Sequence, residues 1–354
     1  MKRFLSLAIS LLVHGDAFSQ TDTIRTFSFQ AYGELYYSYD FSEPQNHEKP
    51  SFVYNHKRHN EVNANLILLQ GRYQQKNQRA SLGLMTGNYA QYNLSSESVL
   101  ARVIYEANIG VKLSANRQLW LDAGVMPSHI GFESAISADC WTLTRSILAD
   151  NSPYYETGIR ISNTSKNNKL YLAVLYLNGW QKIQKPDFIQ QPSFGLQLNY
   201  KPSAKLTVNY SNFVGTDQPD SLESMRQYHN FYMQYEPSQK VGLQAGFDFG
   251  AENTLGKGYG IWYSPVLIIR TKLSDKTAIA VRGEYYEDRN EIIIKTGGAN
   301  GFNTLGVSTN FDYAISDEIK FRIEGKLYHS SNRIYTNDTS RDNYSITTNM
   351  TIRL

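Results

Sequence analysis

From Thr26 onward the chain separates its side chains into two sets at every second position. Phe27, Phe29, Ala31, Gly33, Leu35, Tyr37, Tyr39 and Phe41 form one set; Ser28, Gln30, Tyr32, Glu34, Tyr36, Ser38 and Asp40 form the other. Successive side chains of a strand point to opposite faces, so a strand keeps the sets apart, whereas a helix mixes them around its circumference. The same alternation returns at Leu119–Val125, Phe194–Tyr200, Val241–Phe249, Ile319–Leu327 and Tyr344–Leu354. About sixteen such segments are expected, with Val62–Leu113 showing the pattern least clearly. An even number fits strands that run up and down.

The connections alternate as well. Ser114–Arg117, Asn163–Asn168, Pro202–Ala204, Pro237–Gln239 and Ser274–Lys276 are a few polar residues each. Between them fall longer polar stretches: Ser42–Lys57, Gly179–Pro192, Gly215–Arg226, Gly250–Gly258, Asp288–Asn303 and Ser330–Asn343. Short turns on one side and long loops on the other are the hairpin asymmetry of outer-membrane barrels. The expected fold class is therefore all-β: a transmembrane antiparallel up-and-down β-barrel of about 16 strands. A soluble sandwich or propeller is the competing reading. A sandwich would bury charges of both signs at high cost, and no blade repeat supports a propeller.

Composition and charge sharpen this picture. The chain holds 26 Tyr and 16 Phe, yet mean hydropathy is −0.45. No run of 18 apolar residues offers a transmembrane helix. In a barrel only alternate residues face lipid, which dilutes hydropathy in this way. Tyr pairs near strand ends (Tyr36-Tyr37, Tyr154-Tyr155, Tyr232 with Tyr235, Tyr285-Tyr286) fit aromatic girdles at the lipid–water boundaries. Lys and Arg number 35 against 32 Asp and Glu, so no basic excess points to nucleic acid. Lys2 and Arg3, the apolar Phe4–Val13 and the small residues of Ala17-Phe18-Ser19 have the layout of a secretory signal peptide, residues 1–19. The barrel domain is then 20–354. A single Cys140 leaves no intramolecular disulfide.

One segment, Pro127–Pro153, does not alternate. Ser137–Asp150 reads as a short helix with Ser137 or Asp139 as its cap, and Trp141, Arg145 and Leu148 on one face. Such backbone cannot face lipid with its polar groups unpaired, but it can fold into a barrel lumen. Asp139, Trp141, Arg145 and Asp150 are expected to form a pore constriction; the alternative is a helix over the barrel mouth, outside the ion path.

Ser137–Ser162 (SADCWTLTRSILADNSPYYETGIRIS) resembles the signature region of the β-barrel porin-2, OmpL-like outer-membrane proteins common in Bacteroidetes-type bacteria. Gly33-Glu34-Leu35-Tyr36-Tyr37 and Leu177-Asn178-Gly179-Trp180 support the likeness, which runs over most of the chain and is specific in its middle. It implies a porin-like barrel and names no substrate. Two positions depart from the pattern: Cys140, where a polar residue such as Asn is expected, and the terminal Leu354 in place of the Phe typical of barrels handed to the outer-membrane insertion machinery.

No HExxH, His/Cys metal spacing or GxSxG elbow is present, so no enzyme and no cofactor are expected. Gly250–Gly260 has the look of a phosphate loop, but no Ser or Thr follows its Lys, and it reads as a hairpin. The alternation sends Glu34, Asp40, Glu156, Arg160, Asp248, Arg282, Glu284, Lys320, Arg322 and Glu324 into the lumen. With both signs mixed there, strong ion selectivity is not expected. The functional expectation is a passive porin for small polar solutes or ions, set in outer-membrane lipid, with a homotrimer as one assembly. A structural or adhesive barrel with a closed lumen is the alternative.

Overall fold

The computed structural model describes residues 26–254, 258–297 and 300–354. The expected signal peptide lies outside the described residues. Sixteen strands form among them: β1 (Thr26–Asp40), β2 (Val62–Gln74), β3 (Gln78–Thr86), β4 (Ile104–Lys112), β5 (Gln118–Pro127), β6 (Tyr155–Thr164), β7 (Leu170–Leu177), β8 (Ser193–Ser203), β9 (Leu206–Gly215), β10 (Arg226–Tyr235), β11 (Val241–Thr254), β12 (Gly258–Lys272), β13 (Thr277–Asp288), β14 (Phe302–Ala314), β15 (Ile319–Ser330) and β16 (Asp342–Arg353). Each pairs antiparallel with its chain neighbours, and β1 closes the ring on β16 from Tyr32 opposite Arg353 to Asp40 opposite Ser345. Closure leaves no open edge, which lets strands sit in lipid with every backbone group paired.

Burial follows the period of two. Outward positions such as Phe27, Phe29, Leu35, Leu69, Ile109, Val174, Ile269 and Ile352 are exposed apolar side chains. They form the lipid-facing belt. Their inward neighbours are polar on β1 and β16, and apolar where the long connections pack against the wall, as at Leu68, Ala173, Leu175 and Ile268. Adjacent tyrosines therefore split between faces: Tyr37 is outward and Tyr36 buried inside, and Tyr286 is buried inside as well. Only the outward member of such a pair can belong to a girdle. The Val62–Leu113 region resolves into β2, β3 and β4, with a single π-turn at Tyr89–Asn93 between β3 and β4. The stretch expected as a long loop at Gly250–Gly258 is mostly strand: β11 and β12 stay paired out to Thr254 and Gly258.

The hydrophobic core lies inside the barrel, where the long connections fold inward. Phe52 of the β1–β2 loop packs on Phe302, Tyr328 and Tyr335 at ring distances of 4.9–6.4 Å. Ile130 and Ile147 of the β5–β6 loop join the same cluster.

Candidate functional site: the inserted β5–β6 loop

The β5–β6 connection enters the lumen from the long-loop end and reaches the opposite rim. The expected helix over 137–150 forms only as a 3-10 turn at Ser137–Asp139 and a single α-turn, α1, at Ile147–Asp150. The cap is neither Ser137 nor Asp139 but Ser146, whose hydroxyl accepts from the Ala149 N–H. The reason is competition for backbone groups. The N–H of Leu143 donates to Asn310, that of Thr144 to Glu324 at 2.5 Å, and that of Ile147 to Glu284 at 2.6 Å. Carboxylates on the wall take donors that a continuous helix would have turned inward, and charge-assisted bonds of this kind are about twice as strong as neutral ones.

The wall reaches the loop from several strands. Arg282 on β13 donates to Thr142 Oγ1 and the Thr144 carbonyl, both at 2.8 Å, and to Glu324 at 2.8 Å. Arg322 on β15 donates to the Ser137 and Cys140 carbonyls. Lys320 reaches the Ala138 carbonyl, and Lys326 the Arg145 carbonyl. Glu34 on β1 accepts from Ser137 Oγ and His56 Nε2, both at 2.7 Å. Inward glycines on β11 leave room for rings: a side chain at Gly242 would collide with Trp141, and one at Gly246 with Phe132.

The sequence-selected lumen residues all sit on the inward face, but few of them meet open water. Glu34, Arg282, Glu284, Arg322 and Glu324 are almost wholly buried against the loop. Asp40 accepts from the Ser42 N–H and Asn343 at the base of the β1–β2 loop. Asp248 accepts from Tyr228 and Asn230 across the strands. Glu156 holds His129 Nδ1 at 2.7 Å. Arg160 and Lys320 are only half-buried. A mixed, water-lining charge set is therefore not what β13 and β15 present; Arg282, Glu284, Arg322 and Glu324 bind the loop.

The four expected constriction residues take different places. Arg145 is 1 % exposed and donates to three carbonyls of its own loop, Ser134, Leu143 and Ala135, at 2.6, 2.9 and 3.1 Å. Trp141 packs with Leu148, Val266 and Ile268. Asp150 accepts from Asn55 at 2.7 Å and faces the long-loop end. Asp139 pairs with Arg353 at 2.7 Å, half-exposed at the short-turn rim. The structure thus distributes these residues along the loop instead of gathering them at one level.

Sequence reading missed Glu133, which lies 3.6 Å from Arg282 and accepts from Ser146. Burial pushes its carboxyl above the usual range, while the Arg282 guanidinium pulls it back. It also missed Asn310 and the slot-forming Gly242 and Gly246. The signal was present: glycine recurs at inward positions 242, 246 and 250 of one strand.

Beside the loop a water-accessible void of about 480 Å³ opens along β2–β6, lined by Arg72, Arg79, Glu106, Asp122, His129 and Arg160, among others. A second, of about 220 Å³, lies toward the long loops near Tyr54, Asp150, Trp180 and Arg226. The larger hollow between Phe27, Phe29, Leu82 and Ile109 is on the lipid face, outside any path through the lumen.

Solved structures share this architecture at low sequence identity. The anion-selective porin from Comamonas acidovorans aligns with a TM-score of 0.63 at 7% identity, covering 94% of this chain and 100% of that one. The outer membrane channel DcaP of Acinetobacter baumannii gives 0.62 at 8%, covering 93% and 97%. The trimer form of OmpT, an outer membrane protein of Vibrio cholerae, gives 0.57 at 9%, covering 93% and 99%. No curated protein matches the chain in sequence. The family profile described as "Putative beta-barrel porin-2, OmpL-like" matches residues 26–354. A closed sixteen-strand barrel with a loop threaded through its lumen, matched end to end by that profile, places the chain in this outer-membrane porin family.

Proposed function

We propose that this outer-membrane porin passes small polar solutes by passive diffusion and that its β5–β6 loop sets the bore. The observation that carries the reading is the loop's course: it is bonded to Glu284 and Glu324 midway and to Arg322 and Arg353 near the far rim. A pore selects at its narrowest point, by diameter and by charge. The loop's polar bonds run to the β11–β16 side, and its Ala135 and Ile136 share a buried cluster with Leu66 and Leu68 of β2 and Met85 of β3; the void that remains lies against β2–β6 toward the short turns. Arg145 and Trp141 act by holding the loop's shape; Asp139 and Asp150 place a carboxylate near each end of the path. No bond is made or broken in such transport.

The trimer is the assembly we propose, in line with the trimer form of the OmpT relative. The outer face of β1–β5 supports it: Phe27, Phe29 and Leu82 rim a hollow of about 680 Å³ floored by Gly71, Ala80, Ala107 and Ala123. Small residues let another wall approach closely within a membrane.

Single-channel conductance of the purified barrel in a planar bilayer tests the function. Stable ohmic steps are expected, and Arg145→Ala, which frees three loop carbonyls, should give larger or noisier steps. A folded, heat-modifiable barrel that never conducts would overturn the porin and favour the closed structural barrel.

A further inference from the structure

We infer that the permeation path prefers anions, and that Arg72, Arg79 and Arg160 on the β2–β6 wall determine this; the inference rests on the porin reading above. These three guanidinium groups line the 480 Å³ void together with two carboxylates, Asp122 and Glu106. Three cations thus face two anions. Their exposure is more unequal than their number. The Asp122 and Glu106 side chains are 1 % and 5 % exposed, whereas Arg72, Arg79 and Arg160 are 56 %, 31 % and 21 % exposed.

The geometry explains the inequality. Asp122 on β5 lies beneath two arginines, with Arg79 Nη2 at 2.6 Å and Arg160 Nη2 at 3.3 Å. Arg79 also lies over the Trp120 ring at 4.3 Å, which fixes its plane. Glu106 on β4 accepts from Gln70 at 2.5 Å and has Arg72 Nε 3.6 Å away. The carboxylates are sealed under amide and guanidinium groups, and the face presented to water is cationic. A passing solute meets the exposed ends of the arginines first. Arginine is suited to this because its fork of donors can hold a carboxylate or phosphate oxygen pair and it never loses its proton.

The rim repeats the asymmetry independently. The four short turns 75–77, 113–117, 165–169 and 204–205 carry Lys76, Arg117, Lys166, Lys169 and Lys205 and no Asp or Glu. The turns of the other half carry Glu236, Asp275, Asp317 and Glu318 among their charges. A mouth lined by one sign of charge raises the local concentration of the opposite sign. Three of the four basic turns, 75–77, 113–117 and 165–169, follow strands β2, β4 and β6 of the arginine wall, so mouth and wall act on the same ions. The solute class is small anions: chloride as the probe, and carboxylate- or phosphate-bearing metabolites by the same chemistry.

The test is the reversal potential of the intact channel across a KCl gradient, with the dilute side near 0.1 M, where the Debye length is about 10 Å. The wild-type potential should have the sign of chloride preference. Arg72→Gln should lower the chloride-to-potassium permeability ratio by about two-fold, Arg72→Glu should bring it to unity or below, and Arg72→Lys should keep it. Arg117→Glu, which alters a turn without a structural partner, should shift it in the same direction by less. Unchanged heat-modifiable mobility shows that each variant is folded. A wild-type channel with no preference, or with cation preference, overturns the inference while leaving the porin intact, as does an anion preference that Arg72→Glu does not move. A folded barrel without conductance overturns the porin reading, and this inference with it.

Discussion

The β11–β16 wall and the β2–β6 wall have the same sequence grammar and opposite fates. Both alternate apolar outward residues with polar inward ones, and both carry arginines and carboxylates on the inward face. On β13 and β15 those charges are buried: Arg282, Arg322 and Glu324 are 0–1 % exposed. On β2, β3 and β6 the arginines stay wet. The difference lies in what faces them. The charges of one wall meet a loop, whose backbone carbonyls and N–H groups are their partners; the arginines of the other line a void open to water. An inward charge on a large barrel is thus not one kind of residue. Bonded to a loop, it holds distant backbone in place; facing solvent, it keeps its charge at the water-filled surface.

Breaking the packed wall should have the largest effect. Arg282→Ala leaves the carboxylates of Glu133, Glu284 and Glu324 without their shared cation. Removing one partner of a buried ionic cluster costs about 3–5 kcal/mol. The expected result is a lower temperature of heat modification and a larger unit conductance as the loop leaves its seat; a variant with wild-type melting and conductance would mean that the cluster does not hold the loop. Gly242→Leu comes next. Its side chain must displace the Trp141 ring, an overpacking cost of about 1–3 kcal/mol, read as loop mobility in current noise and in protease cutting between residues 128 and 154. Relief of that noise by the added substitution Trp141→Ala would show that the ring is the obstacle.

The smallest change is expected where the two walls are nearest in character, at the exposed Asp139–Arg353 pair. Solvated pairs contribute about 0–1 kcal/mol. Asp139→Asn should leave the melting temperature unchanged and alter the reversal potential slightly toward chloride, because it removes a carboxylate from the short-turn rim. A clear loss of stability would show that this exposed pair holds the loop's far end more strongly than solvated pairs usually do.

The barrel was legible because lipid and water sort side chains with a period of two, and that period is written in single residues such as Phe27 to Phe41. The non-alternating segment from Pro127 to Pro153 was legible for the same reason: loose backbone has no place in lipid. Its inner form was not. A helix over 137–150 was a fair expectation from local spacing, but the N–H groups of Leu143, Thr144 and Ile147 are claimed by Asn310, Glu324 and Glu284, more than 130 residues away in sequence. Likewise, Arg145 read as a selectivity charge because nothing local reveals that three carbonyls of its own loop enclose it.

What the sequence determined by itself is the barrel class, the inward and outward faces, most of the short and long connections and the sign of each charge. Which charges remain in water was decided by tertiary structure alone. The inserted loop's polar bonds run to one side of the lumen, and a guanidinium enclosed by carbonyls and carboxylates has no field left to offer a solute, whereas one lying over a sealed carboxylate still does. That division depends on where a distant segment comes to rest, and no local pattern of residues encodes it.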